Sequence, residues 1–525
     1  MGPWWIYIKG SYSGPQPIFP NIESFNFVAA MSSSQGLNTL TQIKTIPEDG
    51  SRFKEQEDQP LSPMARLFHE PGSNVYIISI MGCKTKINVD VLKENLVQSL
   101  LRHPRFSSLQ VFNNETQSIR WVPTNVNIDN HVIVPKLEPN IAFPDSFVED
   151  YISNLSKSPI ENSKPLWDLH ILDIKTTNNE GTGVFRFHHS LGDGISLMTL
   201  LLACTRKSSD PNALPTLPFN KDYSYIKFKG FCSVLEMLWN SCVALVMFVF
   251  TLLFLKDTET PLKGSLGVEN RPRRFVHRSV NLADIKAVKN VMGVTVNDVV
   301  LGVTQAGLSR YLNRRYSEIN NGEGTDHCNK TNFIPKNIRL RATFFFNLRA
   351  TTRVDTLVET MKTGKLGRWG NKIGYVLLPF KIGLKTNPLD YVKEAKVVID
   401  RKKASFEPLF TYFIVYFALR LFGIKAVGKL NHKVFSNTTL WFSNVPGPEQ
   451  EVTFYGHDLT CLAPSCYGQP NALMIHIVSY VDKLSFVISA DEETIPDPQR
   501  LCDDLEESLH LIKSSALATE SAKNK

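Results

Sequence analysis

The chain has 525 residues, 42% of them hydrophobic, which is enough for two domains of ordinary size, each with its own core. Its 58 basic and 50 acidic residues leave a net charge of +8, a mild excess that suits an anionic lipid surface or an acidic ligand. No dense Lys/Arg block with interleaved aromatics implies nucleic acid, and eight scattered cysteines, of which the nearest pair Cys461 and Cys466 lacks a metal-ligand spacing, favour a reducing, cytosol-facing location.

Residues 1–57 read as an extension. The cluster Trp4, Trp5, Ile6, Tyr7 and Ile8 is too short for a signal-peptide core, and the polar stretch from 32 onward predicts disorder. An apolar run from Asn74 to Met81 predicts a buried strand, and Val91 to Leu101 a helix stopped by Pro104. Phe106 to Phe112, Ser118 to Val122 and His131 to Val134 read as further strands. Ser146 and Glu149 are spaced as a capping box, opening a helix whose core face is Phe147, Val148, Tyr151, Ile152 and Leu155. Trp167 to Ile174 alternates like a strand. Strands mixed with helices give an α/β or α+β class.

The most informative stretch is Phe187-His188-His189-Ser190-Leu191-Gly192-Asp193-Gly194. It follows the alternating run Gly183 to Phe187 and precedes Ile195, Leu197, Met198, Leu200 and Leu201, so it joins a strand to a helix. Adjacent side chains at a strand end face opposite ways, so His188 and His189 cannot readily serve one ligand together. One is the working imidazole, with an unperturbed pKa of roughly 6.5 suited to proton abstraction near neutral pH. The other is a packed or hydrogen-bonded partner. Asp193 would lie across the turn, where pairing with an arginine would orient the loop, while Gly192 and Gly194 permit close approach.

Downstream, Thr295 and Asp298 are spaced as a second capping box at the head of a helix carrying Val299, Val300, Val303 and Tyr311. A strand rich in Phe and Arg, from Ile338, leads into Asn347-Leu348-Arg349. Ala472 to Tyr480 and Leu484 to Ala490 are late strands, and Pro498 to Ile512 a closing amphipathic helix. Between the halves, Met237 to Leu255 is 19 residues without a charge, about 28 Å as a helix and close to the hydrocarbon thickness of a bilayer. A full span would put His189 and Asn297 on opposite sides of the membrane, so the expectation is a monotopic or re-entrant anchor, joined by the shorter apolar run Phe410 to Leu419.

The His-His-x-x-x-Asp-Gly spacing resembles the active-site motif of the CoA-dependent acyltransferase superfamily. Leu61-Ser62-Pro63, Ser158-Pro159-Ile160, Pro165-Leu166-Trp167-Asp168, Val296-Asn297-Asp298, Asn347-Leu348-Arg349 and Ser443 to Pro448 resemble, in order, landmarks of its plant wax ester synthase/diacylglycerol acyltransferase branch, over roughly residues 58 to 515. The Asp-Phe-Gly-Trp-Gly signature of the related BAHD acyltransferases is absent. The resemblance implies a two-domain, chloramphenicol acetyltransferase-like fold with an apolar membrane-anchoring helix between the halves. Its expected parts are the extension (1–57), a first acyltransferase domain (58–215), a linker (216–275), a second domain (276–515) and a disordered tail (516–525).

The resemblance also implies an O-acyltransferase that moves a long-chain acyl group from acyl-CoA to a long-chain alcohol, to diacylglycerol or to both. His189 would be the general base, supported by His188, with Asp193 orienting the loop and Gly194 allowing close approach. Asn297 would donate to the developing oxyanion, Asp298 and Asn347 would lie on the substrate side, and Arg349 would pair with Asp193. Partners would be acyl-CoA as cosubstrate, the acceptor and membrane lipid, with no metal or other cofactor. The endoplasmic reticulum membrane or the plasma membrane would be its location, catalytic domains in the cytosol. A BAHD-like transferase of a specialised metabolite and a catalytically idle lipid-binding protein remain the alternatives.

Overall fold

The computed structural model describes residues 59–115, 118–138, 140–218, 230–321, 332–348, 353–363 and 369–523; the N-terminal extension and Arg349 lie outside the described residues. Two large mixed sheets and a small three-stranded one organise the chain. The first large sheet runs in the order Val132–Ile133, Trp167–Leu172, Gly181–His188, Tyr76–Cys83, His457–Tyr467, Val452–Phe454, Thr205–Lys207. Its strand Gly181–His188 is buried along its whole length, Arg186 included, and carries the His-His motif at its end. A buried ion pair stiffens its flank: Arg186 donates from Nε and Nη2 to the two oxygens of Asp168, at 2.9 and 2.8 Å.

The second sheet runs Ile373–Phe380, Leu340–Asn347, Leu440–Val445, Leu473–Tyr480, Lys483–Asp491, Arg273–Asn281. One face packs under the helices Leu282–Met292, Val296–Asn321, Leu389–Lys403 and Pro498–Lys523. The other face is shared: Val445, Val478 and Tyr480 join the core of the first sheet, while Tyr375, Leu377, Trp441 and Met474 pack against the helix Glu407–Ser436. Alternation along these strands therefore decides which side chains face the neighbouring sheet.

Several expectations change. The strands His457–Tyr467 and Val452–Phe454 belong by sequence to the second half, yet they pair into the first sheet, Tyr467 beside Tyr76. A contiguous division at 215 and 276 does not describe this exchange, and the second sheet's first strand already begins at Arg273. Ser146 does not cap its helix, which starts earlier, at Pro144, because proline is pre-shaped for the first helical position. The tail expected to be disordered from 516 is helical through Lys523, with Ala516 buried.

The charge-free run forms most of the helix Phe231–Leu253, which starts six residues before it, takes in Glu236 and ends two residues short of Leu255. Met237, Ala244, Phe248 and Thr251 are buried on one face, whereas Trp239 is 70% and Leu253 57% exposed. The helix lies along the second sheet's lobe. Ser241 Oγ accepts from the Phe406 amide at 2.9 Å, and ten residues on, Thr251 receives a hydrogen bond from Arg341. The helix Glu407–Ser436 packs beside it and bends at Gly423, whose φ of 75° only glycine adopts readily.

Candidate active site

His188 and His189 leave their strand in opposite directions, as strand geometry requires, and meet different environments. His188 is 1% exposed and fixed on both nitrogens. Its Nε2 donates to Phe68 O (3.1 Å) and Asn74 Oδ1 (3.0 Å), which leaves Nδ1 to accept from Ser190 Oγ at 2.6 Å. Gln110 Nε2 donates to that hydroxyl (2.8 Å), and His69 Nε2 to Gln110 Oε1 (2.6 Å). This chain locks the tautomer, and burial, followed by the neighbouring His69 and His189, holds the His188 pKa well below its usual value.

His189 is the open imidazole. Its backbone amide donates to Val75 O at 2.9 Å, its ring stacks on Phe68 with centroids 4.0 Å apart, and it lines a largely apolar cavity of about 140 Å³. Its buried Nδ1 makes no well-aligned hydrogen bond among the described residues. Burial lowers the pKa to about 4, against smaller upward pulls from its own carbonyl, Asp193 and Asn371. The ring is thus neutral at pH 7 and able to accept a proton.

Asp193 is buried and caps the following helix, accepting from the Ser196 amide at 2.9 Å. The glycines allow protein to approach closely: a Cβ on Gly194 would lie 3.1 Å from Val445 Cγ2, and one on Gly192 3.1 Å from the Trp369 ring. Through these contacts the loop seats on the second sheet. Two residues that sequence reasoning passed over complete the seat. Trp369 Nε1 donates to Leu191 O (2.7 Å), and Asn371 Nδ2 donates to His189 O (2.9 Å) and Ser190 O (3.3 Å). Only the lone Trp-Gly-Asn before an apolar strand could have drawn attention to them.

Asn347 lines the His189 cavity, as do Ser443, Asn444 and Val445. Asn297 does not. It lines a second apolar pocket behind the sheet, with Phe344, Phe346 and Phe442, and its Oδ1 accepts from Asn444 Nδ2 at 2.7 Å. Asn444 borders both spaces. Asp298 lines neither; it is fully buried and forms the expected reciprocal cap, accepting from the Thr295 amide (2.8 Å) while its own amide donates to Thr295 Oγ1 (3.2 Å). The pairing of Asp193 with Arg349 lies outside the described residues.

Two sheets, the first completed by strands from the second half of the chain, with a His-His-x-x-x-Asp-Gly loop that presents one imidazole to an apolar cavity between them, define the two-lobed fold of CoA-dependent acyltransferases. Solved structures agree on that fold. The wax ester synthase/diacylglycerol acyltransferase from Marinobacter aquaeolei VT8 superposes with a TM-score of 0.57 at 19% identity, covering 87% of this chain and 99% of its own. The trichothecene 15-O-acetyltransferase TRI3 from Fusarium sporotrichioides gives 0.51 at 13% identity, covering 86% and 94%.

Sequence comparison narrows the class. The wax ester synthase/diacylglycerol acyltransferase catalytic domain matches residues 73–237, and the WS/DGAT C-terminal domain residues 369–513. Wax ester synthase/diacylglycerol acyltransferase 5 of Arabidopsis thaliana is 47% identical over 481 residues, which cover 87% of this chain and 94% of that protein. Number 4 of the same plant is 46% identical over 498 residues, covering 91% and 94%. The chain belongs to the wax ester synthase/diacylglycerol acyltransferase family.

Proposed function

We propose that the protein is an acyl-CoA-dependent O-acyltransferase that transfers a long-chain acyl group to the hydroxyl of a long-chain alcohol or of diacylglycerol. The observation that carries this is the division of labour at the motif: His188 is tied on both nitrogens, and His189 is presented neutral to an apolar cavity. His189 removes the hydroxyl proton as the oxygen attacks the thioester carbonyl. The carbon–sulfur bond then breaks, and the imidazolium returns the proton to the departing CoA thiolate. The products are the ester and free CoA, and the balance needs no redox partner. Asn444, oriented by Asn297, would donate to the oxyanion that forms on the way. Asn347 would contact substrate, Asp298 would shape the cleft from behind by setting the start of that helix, and Arg349 would hold Asp193.

The same reading takes the enzyme to a membrane, in the endoplasmic reticulum or the plasma membrane, with both lobes in the cytosol. Exposed Trp239, Leu253, Phe417, Leu421 and Phe422 from the two apolar helices offer a lipid-facing surface, and exposed Lys256, Arg420, Lys425 and Lys429 lie beside it to meet anionic headgroups. A helix held to its own lobe at Ser241 and again at Thr251 supports a monotopic seat rather than a span.

The test uses membranes carrying the protein or its His189→Ala variant, supplied with labelled palmitoyl-CoA and either hexadecanol or diacylglycerol. Labelled wax ester or triacylglycerol that falls by about 10²- to 10⁴-fold in the variant is expected. A variant as active as the parent would remove His189 from the chemistry.

A further inference from the structure

Beyond Asp193, Asn347 and Asn444, the largely apolar cavity below His189 carries a band of hydrogen-bonding groups that the reaction as written leaves unused. On the second sheet, Ser443 pairs with His476 and Trp441 with Met474, and all four side chains line the cavity. Ser79 lines it from the first sheet. His476 and Trp441 are 8% and 2% exposed, and His476 Nε2 and Trp441 Nε1 are buried with no hydrogen-bond partner among the described residues. Unpaired polar atoms in such a place cost stability, so two of them on one cavity wall point to a ligand that pairs them. Burial drives the His476 pKa down to about 3, so this ring is neutral at pH 7 and can present an N–H. The Trp441 indole can only donate. The band therefore calls for an acceptor oxygen.

Its position selects among ligands. Val445 touches the Asp-Gly loop, and the Ser443–His476 pair lies two residues back along the strands, about 7 Å away, with Trp441 about 13 Å away. A simple long-chain alcohol has only methylenes at that depth, because its single oxygen reacts at His189. A diacylglycerol has one ester carbonyl a few bonds from its free hydroxyl, at the depth of the Ser443–His476 pair, and a second further along the glycerol, toward Trp441. Trp441, Met474 and Ile373 also belong to the packed cluster that contains Phe248 of the first apolar helix and Val415 of the second, so the band lies on the side of the cavity that faces those helices.

We infer that His476 and Trp441, with the Ser443 and Ser79 hydroxyls, form a carbonyl-recognition site that accepts the ester group of a partial glyceride and so sets the preference between diacylglycerol and simple alcohols. This rests on the acyl-transfer reading above. The amide carbonyls of the CoA pantetheine arm share the same chemistry, and the assay separates them.

Full-length protein in membranes is assayed with palmitoyl-CoA and either dioleoylglycerol or hexadecanol, as the parent and as Trp441→Phe, His476→Phe and Ser443→Ala. Trp441→Phe removes the indole N–H and keeps a ring, and Ser443→Ala removes only a hydroxyl. The expected result is that each lowers the ratio of dioleoylglycerol to hexadecanol kcat/KM, by about fivefold for one lost hydrogen bond, with the KM for palmitoyl-CoA unchanged. The indole also packs on Phe345 and Phe435, so Trp441→Phe should lower the melting temperature modestly; the acceptor ratio, which a general loss of stability would not move, carries the test. An equal loss with both acceptors and a raised palmitoyl-CoA KM would give the band to the pantetheine arm and overturn the inference; an unchanged ratio would overturn it too. Failure of the parent to acylate either acceptor would instead overturn the acyl-transfer reading, and the inference with it.

Discussion

Replacing Asp257 by alanine would leave the Arg341 guanidinium buried without its counter-charge. The two side chains are nearly inaccessible, Arg341 Nε donates to Asp257 Oδ1 at 2.6 Å, and Asp257 Oδ2 also accepts from the Arg341 amide and Thr439 Oγ1, each at 2.7 Å. Arg341 further donates to Thr251 and, at 3.0 and 3.1 Å, to Leu255 O and Asn437 O, so the pair ties the end of the first apolar helix to the central strands of the second sheet. Breaking a buried pair from one side costs about 3–5 kcal/mol, whereas removing both charges together costs much less. Asp257→Ala should therefore lower the urea midpoint of the detergent-solubilised protein strongly, and Asp257→Leu combined with Arg341→Met should recover most of the loss. Tryptic cleavage after Lys256 should rise in the single variant and not in the double. A double variant as unstable as the sum of its singles would refute the picture of a helix clamped by this pair.

His188→Ala should destabilise the fold by about 2–4 kcal/mol, since it removes the buried donor to Asn74 Oδ1 and Phe68 O and leaves Ser190 only Gln110, while His189→Ala should cost stability little and activity heavily; matching melting curves for the two would contradict the assigned division. Burial lowers His69, His131 and His189 from 6.5 to about 4 in the fold, so between these values the unfolded chain binds protons that the folded chain does not. Stability should hold above pH ~6.5 and fall as the pH drops toward ~4, and a urea midpoint flat over that window would refute it. Asn371→Ala should reduce kcat for both acceptors by loosening the His189 backbone, a change read by steady-state rates at saturating acyl-CoA. Gly447→Ala should cost at least about 2 kcal/mol in thermal unfolding, because its Cβ would sit 2.0 Å from Ser479 O.

The motif strand was legible because buried strands and their exits have strong local signatures: Gly183 to Phe187 alternates, and the helically spaced Ile195, Leu197, Met198 and Leu200 follow the loop, although the capping of that helix by Asp193 was not read. The opposed fates of His188 and His189 followed from strand geometry alone. The reciprocal Thr295–Asp298 cap was also local, and it formed as read. What escaped was long-range. Trp369 and Asn371 reach the His189 loop from about 180 positions away, with no spacing to mark them. Nothing in the Phe- and Arg-rich strand marks Arg341 as buried, and it is buried because Asp257 arrives from beyond the apolar helix. Asn297 reads as a site residue by resemblance, but Asn444, its partner across the sheet, is the one that borders the cavity with His189.

The pairing of Tyr76 with Tyr467 also sets a timetable for biosynthesis. When the strand Tyr76–Cys83 leaves the ribosome, both its neighbours have yet to be translated; Gly181–His188 follows first, but at ~5–20 residues per second the wait for His457–Tyr467 is on the order of 20–80 s. Throughout that interval the nascent chain displays an apolar strand with one open edge, the kind of surface that recruits holdases or pairs with another copy. Chains halted before residue 457 should therefore aggregate or remain chaperone-bound even when the whole His-His motif has been made, and heterologous yield should respond to translation speed and chaperone supply more than to the stability of the finished protein.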